Sequence, residues 1–382
     1  MRRLYAGIGT GIAVVLIIAV FVFMGAQVPV QVQATVTPGF IMLPAGFSVE
    51  IYADNVPGAR SLAVGEAGTI FVGTRTQGSV YALRDTNGDG KSDRQWTIAT
   101  GLFMPNGVAF RNGSLYVAEV NRILRYDVIE NNLDNPPKPV TVFSALPSDT
   151  GHGWKFIRFG PDGKLYIPVG MPCNICEPPG ELFGTILRIN PDGSNPEIYA
   201  KGIRNTVGFD WDPATGDLWF TENGRDWLGD DLPPDELNHA PVAGMDFGFP
   251  YYYGNCIENL EYSGTNHPTN CTPAALDLPA HVAPLGMRFY TGTMFPENYR
   301  DAIFIAEHGS WNRKTPIGYQ VITVRLENGS PVSAVPFATG FLDSNGTVTG
   351  RLVDVEVLPD GSLLVSDDYA GRIYRVTYTT PS

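Results

Sequence analysis

Bulky apolar and polar side chains alternate at period two along most of the chain, in short runs separated by tight turns. Such alternation predicts half-buried β-strands, because successive side chains of a strand point to opposite faces. The runs come in copies. The first is residues 61–64, a turn at 66–68, then 69–73 and 79–83; the second is 107–110, a turn at 111–113, then 114–118 and 122–126. The third opens with a hairpin over 154–169, folded at Pro161-Asp162-Gly163, and closes with 185–189. A fourth runs 207–211 and 217–221, and a fifth 286–290, 302–306 and 318–324. The sixth is 353–357, a turn at Pro359-Asp360-Gly361, 362–366 and 372–376. Each unit is a small antiparallel sheet that cannot bury both faces alone, so six copies predict an all-β, six-bladed β-propeller over residues 46–380. Residues 47–52 form a strand without a complete copy of its own, expected to complete the last blade and close the ring without a free edge. No helix of ordinary length is predicted after the N-terminal segment.

That segment, residues 1–30, begins Met1-Arg2-Arg3 and then runs apolar to about Val28, with no further charge until Glu50. It reads first as an uncleaved membrane anchor and second as a cleaved signal peptide, followed by a linker at 31–45. Both place the rest of the chain on the extracytoplasmic side, in the periplasm or at the cell surface. Disulfides persist there, so Cys173 with Cys176 and Cys256 with Cys271 read as two local bridges. A zinc site would need a second knuckle at matching spacing, which the second pair does not supply. Frequent glycine (43) and proline (31) suit short strands and tight turns, and a net charge of −13 excludes a nucleic-acid partner.

Propeller ligands sit on the central channel, reached by the loops that lead into innermost strands. Four such loops share a register: Pro105-Asn106-Gly107, Thr150-Gly151-His152-Gly153, the stretch Gly202-Ile203-Arg204-Asn205-Thr206, and Gly350-Arg351-Leu352. All are expected at one end of the channel, where a histidine, asparagines and two arginines suit an anion or a quinone. For any one of these residues a structural histidine or a surface ion pair is the commoner explanation; the shared register favours function. Residues 85–93 read equally as a calcium loop or a solvated blade turn, since Trp96 stands where an EF-hand has glutamate. The acidic stretch 221–238 reads equally as a solvated loop or a cation site including Glu222, Asp230 and Asp231.

The motifs His152-Gly-Trp-Lys-Phe-Ile-Arg-Phe-Gly-Pro-Asp-Gly-Lys-Leu-Tyr, Gly202-Ile-Arg-Asn, Glu222-Asn-Gly-Arg-Asp, Asp235-Glu-Leu-Asn and Arg351-Leu-Val-Asp resemble the glucose/sorbosone dehydrogenase family. These are propellers that oxidise sugars with pyrroloquinoline quinone (PQQ) and calcium. The resemblance covers about residues 40–378. It implies that His152 is the general base, that Arg204, Asn205 and Arg351 meet the quinone or substrate, and that the carbonyls of Gly224 and Arg225 hold calcium. Val353 stands where the glucose oxidisers carry a second arginine, and Arg313 and Lys314 are the candidates for an expected lysine. The implied partners are a sugar or aldehyde, an electron acceptor of unspecified kind, and a membrane through the N-terminal segment. Two other readings are a carbohydrate- or partner-binding propeller without cofactor, and a calcium-dependent lactone hydrolase.

Overall fold

A computed structural model describes residues 40–381; the predicted anchor or signal segment lies outside the described residues. Six sheets succeed one another along the chain, each starting at the central channel and adding strands outward. Blade 1 is Leu62–Val64, Ile70–Val72, Val80–Arg84 and Arg94–Ala99. Blade 2 is Gly107–Arg111, Ser114–Ala118, Ile123–Tyr126 and Val140–Phe143. Blade 3 is Arg158–Phe159, Leu165–Val169, Thr185–Ile189 and Glu197–Lys201, with Met245–Asp246 added in parallel at its edge. Blade 4 is Gly208–Trp211, Leu218–Glu222, Asp235–Ala240 and Leu276–Leu278. Blade 5 is Pro284–Phe289, Ile303–Glu307, Gln320–Glu327 and Ser330–Ala338. Blade 6 is Leu352–Val357, Leu363–Asp367 and Arg372–Tyr378, and its outermost strand is the N-terminal Phe47–Ala53. That strand pairs antiparallel with the last one, from Phe47 opposite Tyr378 to Ile51 opposite Tyr374, and closes the ring as the sequence predicts. The helical elements among the described residues are the short 3₁₀ turns Ile129–Asn131 and Glu297–Tyr299.

Period-two alternation builds the ring because each strand sends its two sets of side chains to different neighbours. Phe71 packs toward blade 2 with Val108, Leu115 and Val117, while Ile70 and Val72 pack toward blade 6 with Leu364 and Ile373. Similar apolar clusters fill the other four blade interfaces. Phe47 is seated among Phe295, Tyr299, Phe337 and Tyr378 with ring centroids 4.8 to 5.1 Å apart, so the closing strand is held by aromatic packing as well as by its ladder. The packed body extends back into the expected linker, where Ile41 and Leu43 are buried in this cluster and Met42 bridges to Thr339.

Two strands differ from the sequence pattern. Arg158–Phe159 is shorter than the run from Trp154 predicts: continuing its register would set Phe156 opposite Pro168, which has no N–H to offer, and Lys155 O instead accepts from Asn106. The second half of the acidic stretch is no loop. Asp235–Ala240 is the third strand of blade 4 and carries Asp235 and Glu236 into the interior. Residues 85–93 form a turn in which Asp85 accepts from the amides of Gly88 and Gly90. Among the described residues no cluster of three or more acidic, histidine or cysteine side chains is arranged to hold a metal ion. Both disulfides form as paired from the sequence.

Candidate active site

Each innermost strand is entered from the same end of the ring, so the residues just ahead of these strands gather around one mouth. Arg60, His152, Trp154, Arg204, Asn205 and Arg351 line a cavity of about 230 Å³ there, joined by Arg75, Gly224, His281, His308 and Trp311. Asn106, from the same register, is buried behind the lining. It accepts from Arg60 Nε at 2.6 Å and donates to Ser61 Oγ and Lys155 O, tying three blades together.

His152 occupies a left-handed backbone conformation, φ 46°, that a side chain other than glycine rarely adopts. A Cβ at Gly170 would stand 2.7 Å from the His152 Cβ, so that glycine makes room for the loop. The ring's Nδ1 lies 2.7 Å from Met171 O, and a carbonyl only accepts, so Nδ1 carries the proton and Nε2 keeps its lone pair. Burial, and then the positive charge of Arg204, lower the imidazole pKa to about 4. At neutral pH the ring is an uncharged base. Buried Lys155 secures the loop by donating to Gly153 O, and desolvation brings its amine down to about 7.

The cations around the cavity are unequally committed. Arg204 gives Nε to Asn174 O, Nη1 to Asn223 O, and Nη2 to both Asn174 Oδ1 and Asp226 Oδ2. Arg60 is held by Asn106 and by Asp368, whose other oxygen takes His308 Nε2 at 2.9 Å. Arg351 spends Nε and Nη2 on the carbonyls of His308 and Gly309, leaving Nη1. The Arg75 guanidinium lies 4.2 Å from the centre of the Trp154 ring and donates no hydrogen bond to the described residues. Asn174, between the bridged Cys173 and Cys176, also accepts from Asp226 N, so the short disulfide loop presents the residue that orients Arg204.

Beside the cavity stand three buried carboxylates. Burial raises Asp235 to about 7, and its oxygens take the amides of Gly224 and Ala283 at 2.7 and 2.8 Å. Glu222 lies directly opposite Glu236; burial and mutual repulsion push Glu222 well up, and burial brings Glu236 to about 7. Asn238 Nδ2 donates to both. Gly224 lines the cavity, and the Arg225 side chain turns away to Glu261.

The sequence model for glucose/sorbosone dehydrogenases matches residues 118–375. The chain belongs to this family. A protein of undetermined function from Borreliella burgdorferi is 35% identical over 352 residues, 88% of this chain and 91% of that one. A family AA12 carbohydrate-active enzyme from Trichoderma reesei superposes with a TM-score of 0.78 at 20% identity, covering 91% of this chain and all of that one. The PQQ domain of a pyranose dehydrogenase from Coprinopsis cinerea gives 0.73 at 18%, covering 90% and 98%.

Of the residues that the family resemblance singles out, the structure brings His152, Arg204, Asn205, Arg351 and Gly224 to one cavity. It places Arg313 and Lys314 elsewhere: Arg313 donates to Asp230 O and Asp231 Oδ1, and Lys314 N donates to Asp230 Oδ2. Asp230 and Asp231 therefore serve that loop contact, with Asp231 89% exposed, and both Glu222 oxygens are engaged by Arg204 N and Asn238. Val353 is buried with Val207 and Leu285, against Trp154, as an apolar collar below the cavity. Sequence reasoning missed Arg60, Arg75, His308 and Asp368. Arg60 precedes the first blade's inner strand in the shared register and was legible there; the others come from turns whose register the pattern does not mark.

Proposed function

We propose that this protein oxidises a sugar or sugar aldehyde by general-base hydride transfer to PQQ, with calcium at the quinone. The carrying observation is an unprotonated Nε2 on His152 in a cavity with arginine donors still unspent. Arginines at positions 60, 75, 204 and 351 face aspartates 226, 235 and 368, and Asp235 is part-protonated near neutral pH, so the lining carries a positive excess that suits a polyanionic quinone. When bound, the quinone would supply an electrophilic carbonyl carbon able to accept a hydride, one proton with two electrons. His152 Nε2 removes the hydroxyl proton of the substrate carbon that gives up the hydride, which leaves as a carbonyl. The bond from Nδ1 to Met171 O keeps the ring in the accepting tautomer. Arg75 and Arg351 would hold carboxylates, and the backbone carbonyls of Gly224 and Arg225, which accept no hydrogen bond from the described residues, would hold calcium.

The two disulfides fit an extracytoplasmic location, and the N-terminal segment would tether the protein there. The test is an absorbance titration of the apo-protein with PQQ, with and without calcium, followed by dye reduction with aldoses. Saturable, calcium-enhanced binding and sugar-dependent reduction are expected. Lactone turnover without quinone, or no quinone binding at all, overturns the proposal.

A further inference from the structure

Two tryptophans stand exposed at the rim of this cavity. Trp227 is 66% and Trp311 63% exposed, and their rings meet edge to face, centroids 5.2 Å apart at 87°. Trp311 belongs to the cavity lining. Such exposure of paired indoles forfeits burial free energy that either ring would gain under cover. The pair is nevertheless held in place. Trp227 keeps a left-handed φ of 72°, a conformation strained for a bulky side chain. Its loop is laced to the Trp311 loop by Asn312 Nδ2 to Asp226 Oδ1 at 2.7 Å, by Arg313 to Asp230 and Asp231, and by Lys314 N to Asp230. Asp226 also bonds to Arg204, so the rim is continuous with the cavity wall.

We propose that Trp227 and Trp311 are a stacking platform for a pyranose ring, and that the substrate is a disaccharide or longer chain of glucose-like rings whose reducing end reaches His152. This extends the sugar-oxidising reading above and rests on it. A pyranose with equatorial hydroxyls presents a face of axial C–H groups, and two rings at right angles form a corner that covers one such face and one edge. A cavity of about 230 Å³ has no room for a bound quinone together with a whole oligosaccharide, so a ring beyond the reacting unit would lie at the mouth, where the indoles are. Leu228 and Leu232, on the same loop as Trp227, are 38% and 48% exposed. Because the loops are already fixed, little ordering cost opposes binding.

The first measurement is intrinsic fluorescence of the full-length apo-protein titrated with a β-1,4-linked glucose disaccharide and, in parallel, with glucose. A saturable change is expected with the disaccharide at about tenfold lower concentration, abolished in Trp227→Ala/Trp311→Ala and kept in Trp311→Phe. In the quinone-loaded enzyme each alanine variant should lower the kcat/KM ratio of disaccharide to glucose about tenfold, through KM, and Trp311→Phe should restore most of it. Equal response to the two sugars in the wild type overturns the platform. So does an unchanged ratio in variants that instead slow reduction of a protein electron acceptor, which would make the pair a docking surface. If no sugar is oxidised at all, the parent reading fails, and the fluorescence titration still decides the platform.

Discussion

The channel has two mouths, and they use their charges differently. The one away from His152 is the roomier, about 450 Å³ against about 230 Å³. Its cations are nevertheless matched. Arg288 gives Nε and Nη2 to Glu356 at 3.0 and 2.8 Å and Nη1 to Met287 O, and Arg158 joins Glu356 at 2.9 Å and Asp210 at 3.2 Å. Asp354 and Asp210 take the amides of Leu62 and Phe289. At the near mouth Arg75 has no such partner, Arg351 keeps Nη1, and Nε2 of His152 faces the cavity uncommitted. Unspent donors distinguish a site that awaits a ligand from a void that the fold has already satisfied, and volume does not.

The largest effect expected from this contrast is at His152. Replacing it by alanine should lower quinone-dependent dye reduction by on the order of 10² to 10⁴ while melting temperature and PQQ affinity stay near wild type. Lowered melting with unchanged specific activity would make it a structural histidine. At the far mouth, Arg288→Met leaves Glu356 with Arg158 alone and removes the cation nearest buried Asp354, so stability should fall by about 3 kcal/mol in denaturant titration with PQQ affinity unmoved. Weakened PQQ binding there would erase the distinction between the mouths. Arg351→Ala should raise the PQQ dissociation constant by roughly ten- to a hundredfold, the worth of one charged hydrogen-bonding partner. Asn174→Ala frees Arg204 and Asp226 to reorient and should weaken PQQ by about tenfold, and selective reduction of Cys173–Cys176 should act in the same direction.

The smallest effect is on pH dependence. The unfolded chain protonates a histidine near 6.5, whereas burial holds His152 and His308 at about 4 in the folded state. Unfolding between those values makes each of these histidines take up a proton, so their contribution to apo-protein stability is full above about 6.5 and is lost as pH falls toward 4, whereas Asp235 and Glu236, raised to about 7, contribute the opposite slope in the same window. The His152 share is read as a difference: in thermal melts across that window, the melting temperature of His152→Gln relative to wild type should rise as pH falls from about 6.5 toward 4.

The ring was legible because period-two alternation is what a blade needs to reach both neighbours, and the shared register of His152, Arg204 and Arg351 already implied a common mouth. The outer strands escaped that signal. Arg94–Ala99 is largely exposed, so no buried face imposes alternation on it. Asp235 and Glu236 read as loop because charge outweighed pattern, and only the fold supplies the amides and the asparagine that make their burial tolerable. Arg313, Lys314, Asp230 and Asp231 were visible as charges, but the sequence carries no sign that they answer one another across two loops. Arg75 depends on Trp154 being brought beneath it from another blade, which no local spacing encodes.

The collar of Val207, Leu285 and Val353, contributed by blades 4, 5 and 6, sets beneath the near mouth aliphatic groups that can neither give nor receive a proton. In the reaction proposed above, a proton taken up by His152 would find no relay through these side chains toward the far chamber. In that reaction the cavity mouth would be its exit, and discharge of the base would be coupled to departure of the oxidised product.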